Sequence, residues 1–162
     1  MNNYINHKVK TPCIGVCSTG IGDSVCRGCK RFAHEVIHWN AYSDGQKQII
    51  EQRLMSFLAQ IVAGKLLVVD EALLRWQLDE QQITYLPGQS PYTWAYQLIR
   101  AGASQIDDVS RYGLQLVSAF RETPLKQLRL LIDEEFYQLS RAHYERYFEL
   151  DRSRVKEILE NN

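Results

Sequence analysis

The sequence predicts a mainly α-helical protein in which a small, irregular four-cysteine metal-binding module at the N-terminus precedes a multi-helix body. Three observations predict it. All four cysteines of the 162-residue chain fall between Cys13 and Cys29, and that segment also holds four of the nine glycines. It shows neither the alternation of a strand nor the stripe of a helix, so it cannot fold by burying apolar surface. From Ala33 onward apolar residues recur at helical spacing, with Ser, Asp and Pro standing where helices begin. The module is assigned to residues 10–64 and the helical body to residues 65–162. That boundary is soft, because no repeat or low-complexity linker marks it.

The helices follow in order. A short one is expected near Ala33 to Trp39, then a longer one capped by Ser43 or Asp44, with Ile50, Leu54, Phe57, Leu58, Ile61 and Val62 on its apolar face and Gly64 at its end. Asp70 caps a third, to which Leu73, Leu74, Trp76 and Leu78 bring apolar surface. Ile83 to Leu86 reads as an isolated strand or extended chain before Pro87-Gly88. Ser90-Pro91 and Thr123-Pro124 each set a capping hydroxyl before a proline at the first helical position, where its missing N–H costs nothing. The first opens a helix to Gly102 and the second a long one through Leu125, Leu128, Ile132, Phe136 and Leu139 toward Phe148. A helix over Val109 to Phe120 and a short last one over Val155 to Leu159 complete the body.

Nineteen basic and nineteen acidic residues cancel, so no global field draws the chain to nucleic acid or to an anionic membrane. Residues 1–64 carry an excess of three positive charges and residues 65–162 an excess of three negative ones, too little to indicate a nucleic-acid partner. No stretch approaches the roughly 18 apolar residues of a membrane span, and Met1 to Lys8 lacks the apolar core of an export signal. A cytoplasmic protein is expected. In that reducing compartment clustered cysteines bind metal or do redox chemistry more often than they form structural disulfides.

The strongest chemical signal is Cys13-x3-Cys17-x8-Cys26-x2-Cys29. Two close pairs joined by a short loop can turn four sulfurs toward one point, and four thiolates at about 2.3 Å complete the tetrahedral shell of a zinc ion. Such a closed site would be structural. Its two net negative charges call for donors, which the N–H groups near Gly15 and Gly28 and the cations Arg27, Lys30 and Arg31 can supply. Zinc is the first choice; an iron–sulfur cluster is the alternative, although the spacing matches neither the bacterial nor the plant-type ferredoxin run.

Thr11-Pro12-Cys13-Ile14-Gly15-Val16-Cys17, then Cys26-Arg27-Gly28-Cys29-Lys30-Arg31, then Glu35-Val36 and Trp39, resemble the bacterial family called domain of unknown function 1289, whose members are often labelled predicted iron–sulfur proteins. The resemblance covers roughly residues 10 to 60. It departs at Phe32, where the family usually has threonine, and at Gly45, where an acidic residue is common. It implies a metal-binding module at the four cysteines and implies no activity.

His34-Glu35-Val36-Ile37-His38 is an H-E-x-x-H pattern, which on a helix places two imidazoles on one face and a glutamate beside them, as in metalloproteases. No third ligand follows at the expected place, so surface histidines on a short helix are the better reading. Phe136, Tyr137, Tyr144, Tyr147 and Phe148 alternate with Arg129, Arg141 and Arg146 on the last long helix. Rings at helical spacing usually pack a core, and Glu134, Glu135, Glu145 and Glu149 neutralise the arginines. Asp107-Asp108 and Glu134-Glu135 read as helix-start and solvent-face charge. No phosphate loop or nucleophile elbow is present.

The expected function is therefore that of a non-catalytic metal-binding protein, whose four-cysteine zinc-knuckle-like module and helical body form an adaptor for a protein partner. An iron–sulfur protein that carries electrons or senses redox state is the alternative, and an H-E-x-x-H metalloprotease a distant third.

Overall fold

A computed structural model describes residues 8–161 of the chain. The opening segment read for an export signal and the side chain of Glu149 lie outside the described residues. The fold is mainly α-helical, with helices α1 (Ala33–His38), α2 (Asp44–Ala63), α3 (Glu71–Glu80), α4 (Pro91–Gly102) and α5 (Leu125–Glu160), and two short strands, β1 (Leu66–Val68) and β2 (Leu114–Leu116). Among the described residues no helix is long and apolar enough to cross a membrane.

The helix starts are chemical. The Ser43 hydroxyl accepts the Gln46 N–H, and the Gln46 side chain accepts the Ser43 N–H in return, closing a reciprocal cap on α2. Asp70 caps α3 through the Leu73 N–H at 2.9 Å. Ser90 caps α4 with Pro91 at the first helical position. At α5 the expected hydroxyl cap is absent: Pro124 itself is the N-cap residue, with no side-chain capping bond.

Three further sequence expectations give way. Val109 to Phe120 is not a helix. It consists of two 3-10 turns, Val109–Tyr112 and Ser118–Phe120, on either side of β2, which pairs antiparallel with β1 in the register Leu66↔Leu116 and Val68↔Leu114. Gly113 makes this possible. It has φ +73° and lies so close to Asp70 that a Cβ would stand 2.3 Å from the Asp70 carbonyl oxygen, while its own carbonyl accepts the Val69 and Asp70 N–H groups. Val155 to Leu159 is no separate helix either, but the last stretch of α5. Trp76, expected to bring apolar surface to α3, is 56% exposed.

One core draws on both sides of the expected division at residues 64 and 65. Trp39, Ile50, Leu54, Leu58, Ile61 and Val62 share it with Leu66, Leu74, Leu78, Trp94, Leu98, Ile99, Leu114, Leu128, Ile132 and Phe136. The lining of α2 by α4 and α5 follows from the apolar stripe read in its sequence. Leu98 is fully buried at the centre. Leu98→Ala is expected to cost about 2–5 kcal/mol, read as a lowered midpoint in urea with the slope unchanged.

A second, smaller cluster joins the cysteine-bearing segment to α5. Val25, Phe32 and Tyr137 are buried there, with Tyr144 and Phe148 packed against them. The Phe32 ring meets Tyr144 edge-on at 5.3 Å and Phe148 at 5.9 Å. Phe32 stands at the N-cap position of α1 without a capping side chain. What a threonine would supply there in hydrogen bonding, this chain replaces with an aromatic seat on α5.

Candidate metal centre

The segment from Ser24 to Ala33 folds into a tight knuckle. Val25 bridges Phe32 in antiparallel fashion, the Cys26 N–H donates to the Arg31 carbonyl at 2.9 Å, the Lys30 N–H to the Cys26 carbonyl at 2.8 Å and the Ala33 N–H to the Ser24 carbonyl at 2.8 Å. Closing so small a loop requires Lys30 in the left-handed region, at φ +63°. A non-glycine residue there costs about 1–2 kcal/mol, against which stand the Lys30 N–H bond to Cys26 and the pairing of its ammonium with Asp133.

Cys26 and Cys29 are buried at the knuckle, while Cys13 and Cys17 are exposed on the preceding loop. Burial opposes ionisation of Cys26, but N–H groups of Cys29, Ser18 and Gly28 and the neighbouring Cys29 thiol outweigh it and hold the thiol below its ordinary value. Burial pushes the Cys29 thiol up, although the Arg31 Nε–H donates to its sulfur at 3.2 Å. On the other loop the Gly15 N–H donates to Cys13 Sγ at 3.4 Å, and Cys17 Sγ lies 3.1 Å from the Thr19 hydroxyl.

The two loops are laid against each other. Cys26 Sγ is 3.5 Å from the Val16 carbonyl oxygen, and the Arg27 N–H donates to the buried Ser18 hydroxyl at 2.8 Å. A Cβ on Gly28 would stand 2.2 Å from the same Val16 oxygen, so only glycine lets the loops approach this closely. The structure thus brings Cys26 and Cys29 together and lays the Cys13–Cys17 loop over them. It does not gather all four sulfurs: among the described residues no three His, Cys, Asp or Glu side chains are grouped tightly enough to hold a metal ion. The donor chemistry nevertheless fits a thiolate-bound metal, because the knuckle aims N–H groups at its sulfurs.

The three nearby cations divide their work differently from the expectation. Arg31 alone reaches a sulfur. Lys30, buried, pairs with Asp133 of α5. Arg27 lies over the Tyr137 ring at 4.2 Å and near Glu134 at 4.0 Å. The pair Glu134-Glu135 is therefore not simply solvent-face charge. Glu135 takes the ammonium of buried Lys65 at 2.8 Å on both oxygens, so three successive carboxylates of α5 bind three cations. Sequence reasoning missed these contacts, for pairing across seventy or more residues leaves no local trace; it also missed Ser18, whose hydroxyl takes the Arg27 N–H nine positions on.

The H-E-x-x-H residues stand apart from the cysteines in role. Glu35 is buried; its carboxylate accepts the Phe32 N–H at 2.9 Å and the Arg53 guanidinium at 2.8 and 2.5 Å. His34 and His38 are exposed on the six-residue α1. This glutamate ties α1 to α2. Close by, His143 of α5 packs on Phe57 at 5.1 Å and Tyr147 at 4.5 Å. Burial, then Arg53 and Arg146, hold it below its ordinary value of 6.5, against the opposing pull of Glu35. A depressed histidine favours the unfolded chain once that chain takes up a proton, so its contribution is full above the unfolded value and is lost as pH falls through it. Stability is expected to decline on acidification from about pH 7 to about pH 5, and His143→Gln to flatten that decline in thermal melts.

Residues 11–57 match the family model described as "Protein of unknown function (DUF1289)". Uncharacterized protein YdhL of Escherichia coli (strain K12) is 43% identical over 51 residues, 29% of this chain and 63% of that protein. The YdhL proteins of Shigella flexneri and of Escherichia coli O6:H1 (strain CFT073) match to the same extent. The chain thus spans less than two thirds of the length of these curated relatives. No solved structure matches it.

Proposed function

We propose, for a chain whose residues 11–57 match the DUF1289 family model, that Cys13, Cys17, Cys26 and Cys29 hold one zinc ion, and that the closed module so formed is a non-catalytic adaptor for a protein partner in the cytosol. The observation that carries this reading is the knuckle from Cys26 to Lys30. Its backbone N–H groups favour the Cys26 thiolate, and the loop bearing Cys13 and Cys17 packs against it through Val16 and Ser18. A thiolate-bound ion would supply the folding free energy that this apolar-poor loop lacks, on the order of 10 kcal/mol. The module's cations meet α5 carboxylates, so a locked module would also hold the long helix in place as a rigid platform.

The enzyme reading finds no support in Glu35, whose oxygens serve Phe32 and Arg53. Metal analysis of the untagged, anaerobically purified chain tests the proposal. A colourless protein with one zinc per chain is the expected result; a brown protein containing iron and acid-labile sulfide would assign the cysteines to a cluster, and a protein with neither would remove the metal altogether. A pull-down with the metal-loaded chain tests the adaptor role, for which a partner retained by the wild type and lost after chelation is expected.

A further inference from the structure

Three cations are deeply buried among the described residues, and two of them meet a carboxylate. Lys30 pairs with Asp133 and Lys65 with Glu135. Arg31, only 3% exposed, has no carboxylate within ion-pairing distance among the described residues; its Nε–H goes to Cys29 Sγ and its guanidinium stands over the Trp39 ring at 4.8 Å. A buried guanidinium without an anion is costly. The Cys29 sulfur can balance part of this charge, but Arg31 does not stand alone.

Arg31 lines a cavity of about 790 Å³ together with Lys8, Lys10 and Lys47, and among the described residues no Asp or Glu lines it. Val9, Val36 and Trp39 give this cavity an apolar floor, and Thr11 and Asn40 add neutral polar groups. Lys47 also lies over the Trp39 ring, at 5.6 Å. The chain as a whole carries no net charge, so four cations around one recess, with no carboxylate among its described lining residues, form a local positive field.

We propose that this cavity binds a compact polyanion, the diphosphate or triphosphate group of a small molecule. Four positive groups suit a ligand with several negative oxygens in a small volume, and the guanidinium fork and ammonium groups are the usual partners of phosphate. The cavity has the size of a small-molecule site. A nucleic-acid strand fits less well, because the cations ring one recess instead of tracking a backbone, and Trp39 is 7% exposed with cations over its ring, leaving no open face for a base.

Calorimetric titration of the full chain with inorganic pyrophosphate, and separately with ATP, both without divalent cations, tests the site. Saturable binding at one site, weakened by salt, is expected. The double variant Lys10→Ala, Lys47→Ala should bind about tenfold more weakly or worse, the scale of two lost charge-assisted contacts, while Lys126→Ala, an exposed lysine of α5, should bind as the wild type. Metal content measured on each variant separates loss of this site from loss of the cysteine site. Equal affinities assign recognition to the phosphates alone, and tighter ATP adds the nucleoside; both sustain the proposal. It is overturned by the absence of saturable binding, by equal weakening in Lys126→Ala, or by a single-stranded oligonucleotide that binds more tightly than either probe.

Discussion

The chain carrying Cys26→Ser and Cys29→Ser is expected to emerge from purification without bound metal, and with residues 11–32 open to proteolysis while the helical body stays folded. Two thiolates cannot close a tetrahedral shell, and hydroxyls are poor replacements for them. On the proposed zinc site the free energy at stake would be on the order of 10 kcal/mol, as folding free energy for this loop and not for the body. The main core, which Trp39 and α2 share with residues from Leu66 to Phe136, includes no cysteine. Far-ultraviolet dichroism should therefore change little, whereas trypsin should cut early at Arg27, which is exposed. Unchanged metal content in this double variant would sink the four-cysteine site, and unchanged cleavage would separate metal binding from the order of the loop.

Glu35→Ala carries the second large effect. The Arg53 guanidinium is held by both Glu35 oxygens and stacked on Phe32 at 4.1 Å, with its Nε buried and without a hydrogen-bond partner. Removing the carboxylate strands that charge among Phe32, α1 and α2, and also frees the Phe32 N–H. A broken buried pair of this kind costs about 3–5 kcal/mol, close to a 10 °C fall in melting temperature for a chain of this size. The double variant Glu35→Ala, Arg53→Met should recover much of the loss, since no charge is then left unpaired. A single variant as stable as the wild type would show that water reaches Arg53 and that the pair is not what fixes α1 on α2.

Much of this architecture was legible where the signal is local. Ser43 with Gln46, Asp70, and Ser90 with Pro91 mark helix starts within three residues, and each start lies where its side chain requires. The misread segment is instructive. Val109, Tyr112, Leu116 and Phe120 keep helical spacing, but the left-handed Gly113 and the pairing of Leu114–Leu116 with Leu66–Val68 override it. A three-residue strand has too little pattern to announce itself. The continuation of α5 to Glu160 did leave a trace: no glycine or proline interrupts residues 125–160. At the candidate centre the spacing of the cysteines was plain, and so were the glycine N–H donors. The anchoring of the knuckle was not, because Lys30 finds Asp133 across 103 positions and Arg53 finds Glu35 across 18.

Asp133, Glu134 and Glu135 are consecutive, yet they reach Lys30, Arg27 and Lys65, which belong to the cysteine knuckle on one hand and the start of β1 on the other. Each residue of a helix is turned about 100° from the last, so this single turn works as a key cut on adjoining faces, and it fits in one rotational setting only. Inserting one alanine between Leu128 and Asp133 would swing all three carboxylates off their cations together, while deleting a surface charge elsewhere on α5 would leave the lock intact.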